Sequence, residues 1–396
     1  MPDVTPPATS WLLTTSLGRY LARPQTRAIG LVFMMHSLLF ASWLTHIPYV
    51  KDRLGIGDDT LGMALFFMPV GLLVMNPLTG WFIRQFGAAR MTLISAALFG
   101  LVFTIPVHAS SFAMLALGLF LQGAMAALLN VSMNTCVTMI ERRDGVSILS
   151  TSHGMWSLGG MSGAFISSGV QGAGFTPSQH ILGIMVMVLL LLAVLRPRLL
   201  EIQDAEAAAG GTSAFFVPNK RLMILIFLGL CFSLSEGAAF DWSTVYLRDV
   251  THAPAAVAAL AIAFFSGAMT LGRLMGDNII PRLGAAWLMQ AGGLLGAAGL
   301  GLAIVFPYTL PALIGFMMLG LGISLAAPIL YQASMRIPGV SPAAGLAAYA
   351  SYSFMGFLAG PPLIGYISEN IGLAWGLGLA GIMLLLMSAV AGRAGL

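Results

Sequence analysis

Two acids stand inside apolar sequence and are the first places to look for chemistry. Glu236 and Asp241 share one apolar stretch, while the remaining acids sit in or near polar connections. A carboxylate at bilayer depth costs about 2.5 to 3.5 kcal/mol on insertion scales, so such groups normally face a cavity or a partner. A carboxyl held there can take up and release a proton, and the change in desolvation biases which conformation is preferred. Glu236 is the first choice for such a titrating group and Asp241 the second. The plainer readings are a polar anchor held by neighbouring hydroxyls for Glu236 and an interfacial residue for Asp241. Around these acids lie groups that hydrogen-bond or stack on a small solute: His46 and His153, the amides of Asn130, Asn134 and Gln332, and the rings of Trp156, Trp242, Tyr331 and Tyr352. An interfacial aromatic belt is the alternative for Trp242. No metal-ligand spacing, nucleophile elbow or phosphate loop occurs, so neither a metal nor a cofactor nor an enzymatic reaction is expected.

These residues need a scaffold, and composition names its kind. The chain has 396 residues, 58% hydrophobic and 8% charged, against about 25% charged in soluble domains. A soluble enzyme is excluded. The net charge of +4 comes from scattered Lys and Arg that form no basic stripe, which speaks against a nucleic-acid partner. Cys136 and Cys231, far apart in apolar runs, read as packing thiols. Apolar segments of spanning length fall at 28–49, 61–83, 91–107, 112–136, 148–170 and 179–195, then at 222–246, 256–276, 285–306, 309–331, 343–367 and 372–392. The expected fold is an all-α membrane protein of twelve transmembrane helices in two six-helix halves. Residues 1–27 form an N-terminal tail, 28–195 the first half, 196–221 a linker and 222–396 the second half. With both termini on the cytoplasmic side, fifteen of the 18 basic residues lie inside and only Lys51, Arg53 and Arg248 outside, a bias that predicts cytoplasmic termini.

The halves repeat. A shift of 197 positions superposes Tyr49-Val50-Lys51-Asp52 on Tyr246-Leu247-Arg248-Asp249, Phe86-Gly87-Ala88-Ala89 on Leu283-Gly284-Ala285-Ala286, and Gly159 and Gly163 on Gly356 and Gly360. Parallel repeats of this kind recur in secondary transporters, with the solute site between them. The repeat carries His46 onto position 243, close to Asp241, which predicts that these two approach across the outer half of the cavity. The glycine pairs predict close helix packing or a hinge, and Pro361-Pro362 predicts a bend in the eleventh span.

The loop Gly80-Trp81-Phe82-Ile83-Arg84-Gln85-Phe86-Gly87-Ala88-Ala89-Arg90 resembles the short loop between spans two and three of the major facilitator superfamily, with Arg84 and Gln85 in place of its Asp-Arg pair. Arg273-Leu274-Met275-Gly276-Asp277 is its counterpart in the second half, and Arg84, Arg273 and Asp277 are expected to form a cytoplasmic gate by charge pairing. Ala41-Ser42-Trp43-Leu44-Thr45-His46-Ile47-Pro48, His153-Gly154-Met155-Trp156, Glu236-Gly237-Ala238-Ala239-Phe240-Asp241-Trp242 and Gly360-Pro361-Pro362-Leu363-Ile364-Gly365-Tyr366 resemble the MosC/YbjJ-like branch, itself similar to fucose permeases. The resemblance implies a monomeric inner-membrane permease that moves a sugar- or inositol-like solute by alternating access, with that solute, protons and the lipid bilayer as partners. It implies that the aromatic and amide residues named above line the cavity. Two departures stand out: His46 replaces an Arg of the branch and Asn130 a span-four acid, so proton coupling cannot be carried over from that acid. Drug or metabolite efflux is the alternative within transport, and a receptor without transport the alternative outside it.

Overall fold

The computed structural model describes residues 20, 22–145, 148–202, 219–338, 340 and 342–396, without the side chains of 150, 277, 278, 342, 343 and 347. Most of the expected tail and linker, and the side chain of Asp277, therefore lie outside the described residues. Within them the elements are helices in the order α1 (Pro24–Leu44), α2 (Ile47–Leu54), α3 (Asp58–Leu65), α4 (Phe67–Phe86), α5 (Ala88–Val102), α6 (Thr104–His108), α7 (Phe112–Asp144), α8 (Leu149–Gly172) and α9 (Pro177–Leu200). The second half runs α10 (Lys220–Asp249), α11 (Ala255–Ala258), α12 (Leu260–Leu283), α13 (Ala285–Val305), α14 (Thr309–Ile323), α15 (Ala326–Ser334), α16 (Pro342–Ser353), α17 (Met355–Ile371) and α18 (Leu373–Ala391). Ten rods, some of them two helices end to end, are long and apolar enough to cross a membrane. The Ser- and Gly-rich α8 and the broken rod α16–α17 complete the twelve.

Local chemistry starts several of these helices. The Ser111 hydroxyl accepts from the Met114 N–H at 3.3 Å, Asn219 accepts from Leu222 at 2.9 Å, and Thr176 with Gln179 closes a capping box. Gly87 and Gly284, one repeat apart, both precede a helix at φ of 79° and 82°, a region that L side chains rarely enter. Packing also repeats: a Cβ on Gly123 would collide with the Met68 carbonyl, and one on Gly320 with the Phe265 carbonyl, each pair related to the other by 197 residues. Gly159 and Gly163 seat α8 on the backbone of α1, and Gly356 seats α17 on that of α10. Without a hydrophobic drive in lipid, such close backbone approach is what holds helices together.

The chain ends gather at one end of the bundle. There Arg221 donates to the Gly395 carbonyl at 2.6 Å, Gln25 to Glu201 at 2.8 Å, and Arg23 pairs with Asp144. We call this the terminal end and the opposite one the far end. One expectation needs correction. The first span is not one rod to residue 49; it stops at Leu44 and restarts as α2 with Pro48 in its first turn, where a missing N–H costs nothing. The eleventh span also divides, at Phe354, and Pro361-Pro362 lie inside its second helix, α17.

Candidate functional site

Glu236 and Phe240 are four residues apart on α10 and so share one helix face. Phe240 meets Ser37, Phe40 and Ala41 of α1, Trp156, Ser157 and Gly160 of α8, and Ser266, Met269 and Arg273 of α12 around a cleft between the halves. Arg273 reaches back from this cleft to Glu236 with a single contact of 3.4 Å, and its Nε donates to the Ser324 carbonyl, also at 3.4 Å. That carbonyl lies at the two-residue turn between α14 and α15, where the backbone dihedrals stay in the right-handed helical region. The Glu236 side chain is 12% exposed and that of Arg273 31%. A buried charge of either sign would be strongly unfavourable alone, so each holds the other in place. Tyr331 and Tyr349 stack edge to face at 5.6 Å within electrostatic reach of Glu236.

On its far side the cleft is shut. Gly160 lies against the Ser37 and Ser266 hydroxyls and Gly267 against Met161, so α8 and α12 touch from the cleft outward. Gly62 of α3 rests on the Pro361 carbonyl of α17, and Gly365 on that of Asp58. Polar groups cover this seam. Lys51 bonds Asp249 across the halves at 2.7 Å and Asp58 in its own half at 2.6 Å. Arg248 bonds Asp52 across the halves at 2.5 Å and donates to the Pro48 carbonyl. Thr244 donates to the Leu44 carbonyl at 3.0 Å, Ser368 to Asp58, and the Asp58 N–H to Glu369 at 2.7 Å. Burial works to lower the Lys51 ammonium, but its bonds to Asp249 and Asp58 outweigh this and hold it above the ordinary lysine range. The bridges Lys51–Asp249 and Arg248–Asp52 exchange under the 197-residue shift, so one self-complementary patch closes on itself.

The expected site residues divide between several places. Trp156 lines the cleft, and Glu236 pairs with Arg273 beside it. His153 is exposed one turn toward the terminal end, edge to face with Phe33 at 5.4 Å. Tyr331, Gln332, Tyr352 and Asn130 are exposed as well, and Asn134 donates to the carbonyl and side chain of Asn130 at 2.8 and 2.9 Å. His46 departs from expectation. It is fully buried and its Nε2 meets His180 Nδ1 at 2.8 Å, so its partner is α9 of its own half rather than Asp241. Asp241 has neither hydrogen bond nor ion pair among the described residues. Trp242 is fully buried, because two residues beyond Phe240 the helix has turned about 200° away from the cleft. Arg273 lines the cleft, the side chain of Asp277 lies outside the described residues, and Arg84 is exposed beside Arg90 without an ion pair among the described residues. Phe40, Phe240 and the serines of the cleft are not among the expected site residues, although Phe240 carries a signal in its spacing from Glu236. The far-end bridges also had one, in the superposed Lys51-Asp52 and Arg248-Asp249.

The model of the Major Facilitator Superfamily matches residues 28–355. An uncharacterised MFS-type transporter of Yersinia pestis is 31% identical over 382 residues, covering 96% of this chain and 99% of that protein. Membrane protein MosC of Rhizobium meliloti is 30% identical over 346 residues, covering 87% of this chain and 84% of its own length. Among solved structures, that of the nucleoside transporter NupG superposes with a TM-score of 0.75 at 13% identity, covering 93% of this chain and 98% of that one. A bacterial homologue of the lysosomal transporter Spinster gives 0.72 at 14% identity, over 93% of this chain and 95% of the other. These two share the fold. With twelve rods in two repeated halves and a cleft between them, the chain is a multi-pass membrane transporter, not an enzyme, and belongs to the major facilitator superfamily.

Proposed function

We propose that this transporter couples proton movement to the passage of a small polar organic solute through the cleft, with Glu236 as the proton-carrying group. One observation carries the reading: a buried carboxyl on the cleft-bearing face of α10 is paired with the guanidinium that lines the same cleft. Protonating Glu236 frees Arg273, and deprotonating it recaptures Arg273, so proton occupancy and cleft chemistry are linked through one contact. Asp241 has no such partner among the described residues, which favours Glu236. The excess of basic residues at the terminal end and in its loops supports an inner-membrane orientation with that end in the cytoplasm. The far end then faces outward, closed by its paired bridges, and alternating access consists of breaking that closure while the cytoplasmic mouth shuts. The serines and aromatic rings of the cleft suit a hydroxylated ring better than a bulky amphipathic drug.

The test is solute-dependent proton flux in proteoliposomes loaded with a pH-sensitive dye, using panels of hexoses, inositols, sugar acids and aromatic metabolites. A transported solute should shift the lumenal pH, and Glu236→Gln should abolish that shift while leaving solute binding measurable. Full proton coupling in Glu236→Gln would refute the assignment.

A further inference from the structure

The cleft offers a positive charge to whatever enters it. Of the ten residues around it, Arg273 is the one that is charged; the others are serines, small residues, Met269 and three aromatic rings. A guanidinium has five N–H donors in a planar fork. Two contacts engage Arg273 among the described residues, each at 3.4 Å, whereas a fully engaged guanidinium–carboxylate pair closes to about 2.7–2.9 Å and is commonly bidentate. The group is thus held in place yet retains donor capacity toward the cleft. The hydroxyls of Ser37 and Ser266 converge beside it at Gly160, and Trp156, Phe40 and Phe240 supply ring surface.

Charge balance decides what fits. With Glu236 ionised, the pair is neutral overall. An entering carboxylate would leave the site with one uncompensated negative charge at membrane depth, which is strongly disfavoured. A proton on Glu236 restores neutrality and releases Arg273 to form a bidentate pair with the incoming carboxylate. Among the described residues, the other titratable groups facing the pair are Tyr331 on α15 and Tyr349 on α16 toward Glu236, and His153 on α8 toward Arg273. The phenols are neutral at physiological pH, and α1 presents only Ser37, Phe40 and Ala41. A neutral sugar makes no use of the guanidinium and gains nothing from the proton.

We propose that the solute is a small organic carboxylate, bound by Arg273 in place of Glu236 when Glu236 takes a proton, so that one anion and one proton cross together without net charge. This deepens the transport reading and rests on it. The test uses matched solutes on the purified full chain: glucuronate against glucose, and phenylacetate against phenylacetamide, followed by thermal shift at about pH 5.5 and about pH 8, where both acids remain ionised. The acids should bind about tenfold more tightly than their neutral partners, and more tightly at the lower pH. Glu236→Gln should make acid binding equal at both pH values. The double variant Glu236→Gln/Arg273→Gln, which leaves no unpaired charge to unfold the protein, should erase the preference for acids. In proteoliposomes, uptake of a bound acid should be driven by a pH gradient and ignore an imposed potassium diffusion potential. Neutral partners binding as well as the acids, no acid binding at all, acid preference surviving the double variant, or uptake that follows the potential would each overturn the proposal. If the neutral solutes bind and move with protons, transport stands and only the carboxylate assignment falls. If no solute of either kind binds or moves, the transport reading falls with it.

Discussion

Removing one carboxylate at the far end should open the cleft on that side. Asp249→Asn deletes the cross-half bridge to Lys51 and the same-half bridge to Arg248, while Lys51 keeps Asp58 and Arg248 keeps Asp52, so neither cation is left unpaired. The side chains of Lys51 and Asp249 are 16% and 28% exposed. That places the bridge between surface pairs, worth about 0–1 kcal/mol, and buried ones, whose disruption costs about 3–5 kcal/mol. A loss of about 1.4 kcal/mol from the closed state shifts the equilibrium toward the far-open state by about tenfold. Its pseudo-symmetric mate should behave differently. Asp52 is 67% exposed, so solvent screens its bridge to Arg248, and Asp52→Asn should shift the equilibrium by less than about twofold. The readout is thiol labelling of Ser243→Cys in a Cys136→Ser/Cys231→Ser background, since Ser243 is fully buried with an unpaired hydroxyl, about 7.5 Å along α10 from Arg248. Labelling from the far side should speed up about tenfold with Asp249→Asn and hardly change with Asp52→Asn. Equal effects of the two variants, or no effect of Asp249→Asn, would refute the closure as described.

Two further outcomes follow from packing and charge. Gly123→Ala should lower the unfolding midpoint in detergent, at a cost on the order of 3 kcal/mol, because its methyl meets the Met68 backbone; Gly183→Ala, with nothing within 4 Å of its Cβ, should leave the midpoint unchanged or raised. Raising pH should weaken the far-end bridge late. A lysine held above its ordinary value contributes in full below that value, about 10.4, and loses the contribution as pH rises through its elevated one, so Ser243→Cys labelling corrected for thiolate fraction should stay flat from neutral to about pH 10.4 and climb above it.

Much of the architecture is legible in the sequence because lipid imposes it: apolar runs of spanning length, basic residues at one end, and a repeat register kept through Gly87 and Gly284. The site was partly so. Glu236 stood out because an acid inside an apolar run is rare, and Trp156 because a ring lay beside a polar cluster. The neighbour Asp277 along the chain suggests a partner for Arg273 that is legible in the sequence, whereas its contact with Glu236 is brought about by the packing of α10 against α12 and by the turn at Ser324, which are not. His46 illustrates the opposite failure. The repeat gave its depth, but the break after Leu44 set its direction, and no helical periodicity survives a break. The interruptions at Ser324 and Phe354 have no counterpart in the continuous α7 and α8, so the repeat could not foretell them.

The exchangeable bridges at the far end have a consequence for how the transporter can change over generations. In a twofold dimer of separate subunits, any substitution in such a patch strikes twice, and closure is either kept or lost. Here both copies lie on one chain, so each can drift alone, and the sheltered Asp249 beside the solvated Asp52 is that divergence in place. Resting bias between inward and outward access can therefore be adjusted in small increments, one codon at a time.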